Sequence, residues 1–273
     1  MRKTVLNLLI WILVIIIGFG LVHILNQNNK KKDENVLIVG YDDTFVPMGF
    51  INNDGQVVGF DIDLAKAVGK KIHKEIKFQP IDWTMKETEL RNGDIDLIWN
   101  GYSVTKEREE QVDFSNPYIS DRQVIIVRSN SNIKDKKDFK NKKIGVQAAS
   151  SASDAVMKDS EFVKSLSGGN FISYQSNNDA LMDLDAGRID GVVADEVLAR
   201  YYMNARGTDK YKVLNDNFGS EYFAVGIKKG NEKLKDEINL GLKEVISNGT
   251  AKKISEKWFG KDIVIKGETN DEF

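Results

Sequence analysis

Segments with strand-like apolar patterns alternate along the chain with longer segments in which apolar residues keep helical spacing. The segments at residues 36–39, 76–81 and 189–194 predict strands. Between residues 61 and 72 the apolar positions keep near-helical spacing, which predicts a helix with one face packed inward. Residues 223–227 predict another strand late in the chain. This succession of strands and helices is typical of an α/β fold.

One strand-to-helix edge concentrates polar chemistry. Residues 95–98 predict a buried strand, and residues 106–111 predict a helix. Gly101, Ser103 and Arg108 fall at this edge, where open α/β sheets bind ligands. Glycine allows a ligand to approach the backbone, serine supplies a hydroxyl, and arginine matches a carboxylate with two parallel hydrogen bonds. By themselves, these residues are equally compatible with a loop that carries one surface arginine.

A similar unit occurs twice in the chain. Residues 90–101 and 184–195 share Leu, Gly, Ile and Asp at matching positions, and both predict a helix end, a glycine cap and a buried strand. The repeat predicts two similar lobes. Gly101 in the first copy corresponds to Asp195 in the second, and a carboxylate facing a hydroxyl and an arginine suits a zwitterion. Asp195 has an alternative role as the N-cap of a helix starting near Glu196, and the two roles are compatible.

The chain resembles the polar amino acid-binding proteins of ABC importers, an extracytoplasmic solute-binding family with two hinged α/β lobes. The resemblance extends over about residues 36–264 and rests on several segments in the same order. These segments are residues 57–65, 103–108, 112–118, 144–147, 190–196, 249–250 and 257–260. Each segment is a weak signal alone, and together they are specific.

The resemblance implies a periplasmic-binding-protein-like fold of type II. Each lobe is then a sheet flanked by helices, a two-stranded hinge joins the lobes, and one transmembrane helix precedes them. The predicted parts are a membrane anchor and tether (1–35), the first lobe (36–123 and 221–264), the second lobe (124–220) and a tail (265–273).

The resemblance also implies further ligand contacts. Members of the family grip the substrate side chain between two aromatic residues at the positions that match Phe45 and Trp83, and an indole face attracts a cation. Asp42 matches a position that contacts polar or cationic side chains. In the second lobe, Gln147, Ala149 and Ser151 match ligand-contacting positions, Gln147 toward the ligand side chain and Ser151 near its carboxylate. The implied ligand is a free polar L-amino acid, with a cationic side chain or glutamine favoured.

The expected function is capture of that amino acid between the two lobes and its delivery to the permease subunits of an ABC transporter, without catalysis. The alternative is an enzyme on the same fold, of the cyclohexadienyl dehydratase kind, because a fold does not fix a function. Glu196 is the obvious candidate acid for such an enzyme. The ammonium-binding role of Asp195 argues against it, since a keto acid carries no ammonium.

Composition excludes several classes of protein. The chain has 39 basic and 41 acidic side chains, and this near-balance argues against a nucleic-acid surface. It contains no cysteine, which excludes disulfides, thiolate metal sites and the lipid-modified N-terminal cysteine used by many Gram-positive members of the family. Its two histidines, His23 and His73, do not make a metal cluster, so no metal and no cofactor are expected.

The N-terminal region predicts attachment to a membrane. Residues 5–25 are almost wholly apolar and match the roughly 20 residues that span a bilayer. Arg2 and Lys3 precede them, as in a secretory signal, but no small-residue cleavage pattern follows. By the positive-inside rule, the lysines at 30–32 favour a cytoplasmic location for the region that follows the apolar segment. Large domains nevertheless translocate despite such charges. We expect a single-pass anchor in the cell membrane, with the binding domain on the extracellular face.

Overall fold

A computed structural model describes residues 34–207 and 209–266. The predicted anchor at residues 5–25 and most of the predicted tail lie outside the described residues. Within the described ranges, no helix combines the length and the apolar character needed to cross a membrane.

Strands and helices alternate, as the apolar pattern predicts. In chain order the strands are β1 (Val36–Tyr41), β2 (Thr44–Phe45), β3 (Gly49–Ile51), β4 (Val57–Val58), β5 (Glu75–Pro80), β6 (Leu97–Ile98), β7 (Val112–Phe114), β8 (Ile119–Arg128), β9 (Ile144–Gln147), β10 (Ile172–Tyr174), β11 (Gly191–Asp195), β12 (Tyr211–Phe223) and β13 (Gly226–Lys228). The helices are α1 (Phe60–Lys71), α2 (Lys86–Asn92), α3 (Lys106–Glu109), α4 (Ser151–Lys158), α5 (Ser160–Ser165), α6 (Asn177–Asp185), α7 (Glu196–Arg206), α8 (Glu232–Ser247) and α9 (Thr250–Phe259).

The first lobe contains a mixed five-stranded sheet in the order β5-β1-β6-β13-β7. β1 and β6 run parallel, and β13 runs antiparallel to both β6 and β7. A small antiparallel sheet of β2, β3 and β4 lies in the same part of the chain. Because β13 follows the strands of the second lobe in the chain, the first lobe is built from two separate segments. The strand predicted at residues 223–227 corresponds to β13, which is shorter than expected and begins only at Gly226. Phe223 is instead the last residue of β12.

Helices α1 and α8 pack together beside the first sheet. Leu64 and Val68 of α1 and Ile238 of α8 are fully buried. A Cβ atom added to Gly241 of α8 would lie 2.7 Å from Val68 Cγ1, so glycine is required for this close approach. The apolar faces of the helices thus meet on one another, as the helical spacing of residues 61–72 predicts.

The second lobe contains a five-stranded sheet in the order β10-β9-β11-β8-β12. The first three of these strands run parallel, and β8 runs antiparallel to both β11 and β12. Its core includes Ile125, Val127, Val146 and Val193, each fully buried. The two-lobed α/β architecture expected from the sequence is therefore confirmed.

Two long antiparallel strands connect the lobes. β8 and β12 pair from Tyr211 opposite Arg128 to Phe223 opposite Ile119. At the first-lobe end, Phe223 forms a bridge with Ser103, and Ile119 forms a bridge with Val264. The predicted lobe boundaries at residues 123 and 220 both fall inside these strands, so the exact boundaries stay a prediction.

The repeated helix–turn–strand unit has the same local structure in both lobes. A glycine with left-handed backbone follows α2 (φ 84°) and α6 (φ 73°). Asp96 Oδ2 then accepts a hydrogen bond from Ile38 N at 2.9 Å, and Asp190 Oδ2 accepts one from Lys143 N at 2.9 Å. The repeated aspartate therefore fixes the neighbouring parallel strand in each lobe.

Candidate functional site

A cleft between the lobes is lined by all the residues that the sequence analysis names as ligand contacts except Ala149. It encloses about 280 Å³, including space open to solvent. The lining residues are Asp42, Phe45, Trp83, Asn100, Gly101, Ser103, Arg108, Gln147, Ser150, Ser151 and Asp195. Asn100 and Ser150 were not predicted. That the other nine bind a ligand stays a prediction.

The cleft lies at the carboxyl ends of strands from both sheets. Gly101 and Ser103 follow β6, and Gln147 and Asp195 are the last residues of β9 and β11. This placement follows from the parallel strands, because their carboxyl ends meet at one edge of each sheet. Ser150 was not predicted as a ligand contact, although the sequence predicts Ser150 or Ser151 as the cap of the following helix; Ser150 caps α4 by accepting a hydrogen bond from Ser153 N.

Gly101 requires the absence of a side chain for two reasons. Its backbone is left-handed, with φ 54°, and an added Cβ atom would lie 2.4 Å from Phe45 Cε1. Its N–H donates to Asp61 Oδ2 at 2.6 Å. Asp61 is fully buried in the first turn of α1, and burial raises its pKa to about 7 against the opposing effect of the Gly101 hydrogen bond. Asp61 thus supports the ligand-facing segment from behind, and the sequence analysis did not single it out.

Arg108 is buried and held in place before any ligand contact. Its Nη1 donates to Ser103 O at 2.9 Å, and its guanidinium lies 4.5 Å from the ring centre of Tyr102. Thr105 caps the short helix α3 by accepting a hydrogen bond from Arg108 N. These contacts fix the guanidinium plane at the cleft, which favours bidentate binding of a carboxylate.

Lys86 is a second buried cation beside Arg108. Its Nζ donates to Trp83 O and Ala149 O, each at 3.0 Å, and lies 3.3 Å from Glu87 Oε1. These three acceptors use the three N–H groups of an ammonium. Burial, followed by the charge of Arg108, lowers the pKa of Lys86 to about 8. Sequence reasoning missed Lys86 because it begins a charged helix that has the pattern of a solvated surface.

Polar side chains of the two lobes touch directly across the cleft. Ser103 Oγ and Ser151 Oγ lie 2.9 Å apart. Gln147 Nε2 donates to Asp42 Oδ2 at 2.7 Å. The lobes are therefore closed on one another, and the candidate ligand contacts face a shared space.

Asp195 reaches this space from the second lobe. It occupies the N-cap position of α7, but its carboxylate makes no capping hydrogen bond. Oδ1 instead accepts a hydrogen bond from Gln123 Nε2 at 2.8 Å. Burial, followed by the negative charge of Glu221, raises the pKa of Asp195 well above its usual value. Asp195 thus occupies the predicted N-cap position, but its side chain does not cap the helix.

Glu196, the candidate acid of the enzyme alternative, points elsewhere. Its carboxylate accepts from Arg122 Nε at 2.6 Å and from Arg200 Nη2 at 2.8 Å. It does not line the cleft. These charged hydrogen bonds lower its pKa, the largest effect coming from Arg122, so it is held as a carboxylate.

Comparisons with known proteins agree with this geometry. The family model for bacterial extracellular solute-binding proteins, family 3, matches residues 37–261. The arginine-binding extracellular protein ArtP of Bacillus subtilis (strain 168) is 32% identical over 238 residues, covering 86% of this chain and 88% of ArtP. The L-cystine-binding protein TcyJ of Escherichia coli (strain K12) is 30% identical over 237 residues, covering 86% of each chain.

A solved structure is also similar throughout both lobes. It is an ABC uptake transporter substrate-binding protein from Streptococcus pneumoniae with bound histidine, 43% identical, with a TM-score of 0.83. The match covers 85% of this chain and 95% of the pneumococcal chain. By the family match and these similarities, the chain belongs to the bacterial extracellular solute-binding proteins, family 3.

Proposed function

We propose that this protein captures a polar L-amino acid between its two lobes and delivers it to the permease of an ABC transporter. One observation carries the proposal: Arg108 from the first lobe and Asp195 from the second line the same closed cleft. A guanidinium and a carboxylate from opposite lobes complement the carboxylate and ammonium that every free amino acid carries. Ser103 and Ser151 add hydroxyls to the same space.

The side-chain end of the cleft favours a cationic or amide ligand. Asp42 offers a buried carboxylate, and Gln147 beside it offers an amide that both donates and accepts. Phe45 and Trp83 add ring faces to the cleft lining. The names of the relatives, which include arginine-binding and histidine-bound proteins, support this class, whereas the cystine-binding relative widens it.

The geometry favours binding over catalysis. The acid proposed for a dehydratase, Glu196, is engaged by two arginines away from the cleft. A keto acid would also leave Asp195 without an ammonium partner.

We also propose that residues 5–25 anchor the protein in the cell membrane, with the lobes on the extracellular face. The length and apolar character of this segment and the extracellular family support the proposal. Cell fractionation with N-terminal sequencing of the purified protein is the test. A mature chain that begins near residue 26 would contradict anchoring, and recovery of the intact N terminus in the membrane fraction is the expected result.

Ligand identity is testable with the full-length chain in mild detergent. Thermal unfolding is measured with each of the common L-amino acids, followed by calorimetry on those that stabilise the protein. An amino acid at 100 times its Kd stabilises the fold by about 2.7 kcal/mol. We expect stabilisation by arginine, lysine, histidine or glutamine, and none by their D-enantiomers. Binding of leucine or valine without any of those four would refute the ligand class.

A further inference from the structure

Asp195 belongs to a cluster of three carboxylates, of which the proposed function uses only Asp195 itself. Asp121 of β8, Asp195 of β11 and Glu221 of β12 each place an oxygen within 4.8 Å of the others. Asp121 and Glu221 stand directly opposite one another on the two hinge strands. Like charges in directly opposite positions of a strand pair destabilise it. The cluster therefore couples the ammonium end of the cleft to the hinge.

The cluster holds more acceptors than donors. Gln123 Nε2 donates to Asp195 Oδ1 at 2.8 Å and to Glu221 Oε1 at 2.6 Å. Asp121 Oδ2 and Gln123 Oε1 are buried and have no hydrogen-bond partner. Three carboxylates at this separation cannot all be ionised without a compensating positive charge.

The neighbouring cations are hydrogen-bonded to another carboxylate, Glu196, and not to the cluster. Arg122 and Arg200 both bind Glu196, which itself adds negative charge near Asp121. In the ranges that the structure describes, no ion pair joins a cluster carboxylate to a lysine, arginine or histidine. A metal ion is disfavoured between Asp195 and Glu221, because the Gln123 N–H group lies there and its dipole repels a cation. A proton would remove one negative charge from the cluster and would also supply a hydrogen-bond donor to its surplus of acceptors.

We propose that Asp121 and Asp195, beside the Glu221 carboxylate, share a proton before ligand binding, and that the ammonium of the bound amino acid displaces it. The O–H bond of the shared carboxyl breaks, the proton passes to solvent, and the resulting carboxylate accepts an N–H group of the ligand. Capture is then linked to pH. Only Asp195 lines the cleft, so Asp121 and Glu221 are positioning residues that set its charge. The inference rests on the proposed amino acid ligand.

The electrostatics agree with a shared proton. Burial is the largest cause of the raised pKa of both Asp121 and Asp195, and the charge of Glu221 is the next. Removing the Glu221 charge therefore lowers the pKa of its two neighbours and makes the proton easier to displace.

The test compares the wild-type chain with Glu221→Gln, whose amide oxygen can still accept from Gln123. The probe is whichever of L-arginine, L-lysine, L-histidine and L-glutamine binds the wild type most tightly. Calorimetry from pH 5 to pH 8, in two buffers with different ionisation enthalpies, gives the affinity and the number of protons released. Because both proteins receive the same probe, its own titration cancels in the comparison.

Wild-type affinity should fall about tenfold per pH unit below a midpoint, as expected for one linked proton. In Glu221→Gln the midpoint should move down by about one pH unit or more. The variant should bind the probe about tenfold tighter than the wild type at pH 5, but no tighter at pH 8, and release fewer protons. A merely damaged site would not gain affinity at acid pH.

Asp121→Asn should shift the midpoint in the same direction. Glu161→Gln is the matched control, since Glu161 is an exposed second-lobe carboxylate that contacts Lys164, and it should behave as the wild type. If both cluster variants kept the wild-type pH midpoint of affinity and released the same number of protons on binding, the proposal of a shared proton would be wrong. The proposal of amino acid capture would not be affected. If none of the four probes binds the wild type at any pH, the proposed ligand class fails, and this inference fails with it.

Discussion

Gln147 Nε2 lies 2.7 Å from Asp42 Oδ2 and joins the second lobe to the first at the side-chain end of the cleft. The same amide group is fixed on its other side, because its Oε1 accepts a hydrogen bond from Asn177 Nδ2 at 2.9 Å. Asp42 in turn accepts from Thr44 N at 2.9 Å. A chain of oriented polar groups therefore spans the two lobes where a ligand side chain would lie.

Replacing Arg108 should abolish most of the affinity. Loss of one partner of a buried charged pair costs about 2–5 kcal/mol, which at about 1.4 kcal/mol per tenfold is roughly one to four decades in Kd. We expect this loss in Arg108→Ala. Arg108→Lys should not restore binding, because an ammonium cannot copy the planar fork.

Calorimetry on the folded variants measures this effect. Arg91→Ala is the control, since Arg91 is an exposed arginine on α2 whose Nη2 donates to Thr88 Oγ1, and the Kd of this variant should be unchanged. If Arg108→Ala bound the ligand with the wild-type Kd, the Arg108 guanidinium would not hold the ligand carboxylate.

Asp195→Asn should weaken amino acid binding by a similar one to four decades, because the ligand ammonium loses its charged partner. The effect should depend on the ammonium itself. The 2-deamino analogue of the tightest-binding amino acid should bind the variant at least as well as it binds the wild type. Equal losses for the amino acid and its deamino analogue would place the role of Asp195 elsewhere.

Asp61 should make stability depend on pH. Its folded pKa, about 7, is higher than that of an unfolded aspartate, so the folded state binds more protons between the two values. The stabilisation from Asp61 is complete below pH about 4 and is lost as the pH rises to 7, by up to about 4 kcal/mol. Asp61→Asn should therefore gain stability relative to the wild type as the pH rises from 4 to 8.

Urea unfolding at pH 4, 6 and 8 checks this prediction. Asn retains an oxygen that accepts from Gly101 N, so the local contact is preserved. A stability difference between variant and wild type that stays constant over this range would contradict the raised pKa of Asp61.

Gly101→Ala should damage both stability and binding. A left-handed alanine costs about 1–2 kcal/mol, and the added methyl would also meet the Phe45 ring. Gly93→Ala is the matched control, since Gly93 is left-handed as well, with φ 84°, but has open space around its Cβ position. Denaturant unfolding should show a larger loss for Gly101→Ala, and only this variant should lose ligand affinity.

Ligand should stabilise the closed arrangement of the lobes, since it contacts both. The chain has no cysteine, so two introduced cysteines can carry spin labels without background. Cysteines that replace Lys70 of α1 and Lys164 of α5 would each carry one spin label. Pulsed electron paramagnetic resonance then measures the distance between the lobes. A saturating amino acid should narrow the distance distribution, and an unchanged distribution with binding shown by calorimetry would exclude ligand-linked closure.

The sequence by itself determined the elements and the edge at which the site lies. Strand and helix periods, the left-handed glycines and the repeated unit at residues 90–101 and 184–195 are local signals. They predict where each strand ends and the following turn or helix begins, and parallel strands bring their carboxyl ends to one edge. The sequence therefore predicts that Gly101, Arg108 and Asp195 lie close together, and in the structure all three line the cleft.

Tertiary structure decided the partners behind these residues. Asp121 and Glu221 are far apart in sequence and meet only because β8 and β12 pair across the hinge. Lys86 has the local pattern of a surface lysine, yet the closing of the second lobe buries it against Ala149. Burial and charge pairing depend on contacts between distant segments, and a local pattern records only which backbone shape is favoured. The residue types of the cleft lining can therefore be read from the sequence, whereas the raised pKa of Asp195 depends on burial and on charges that only the fold brings together.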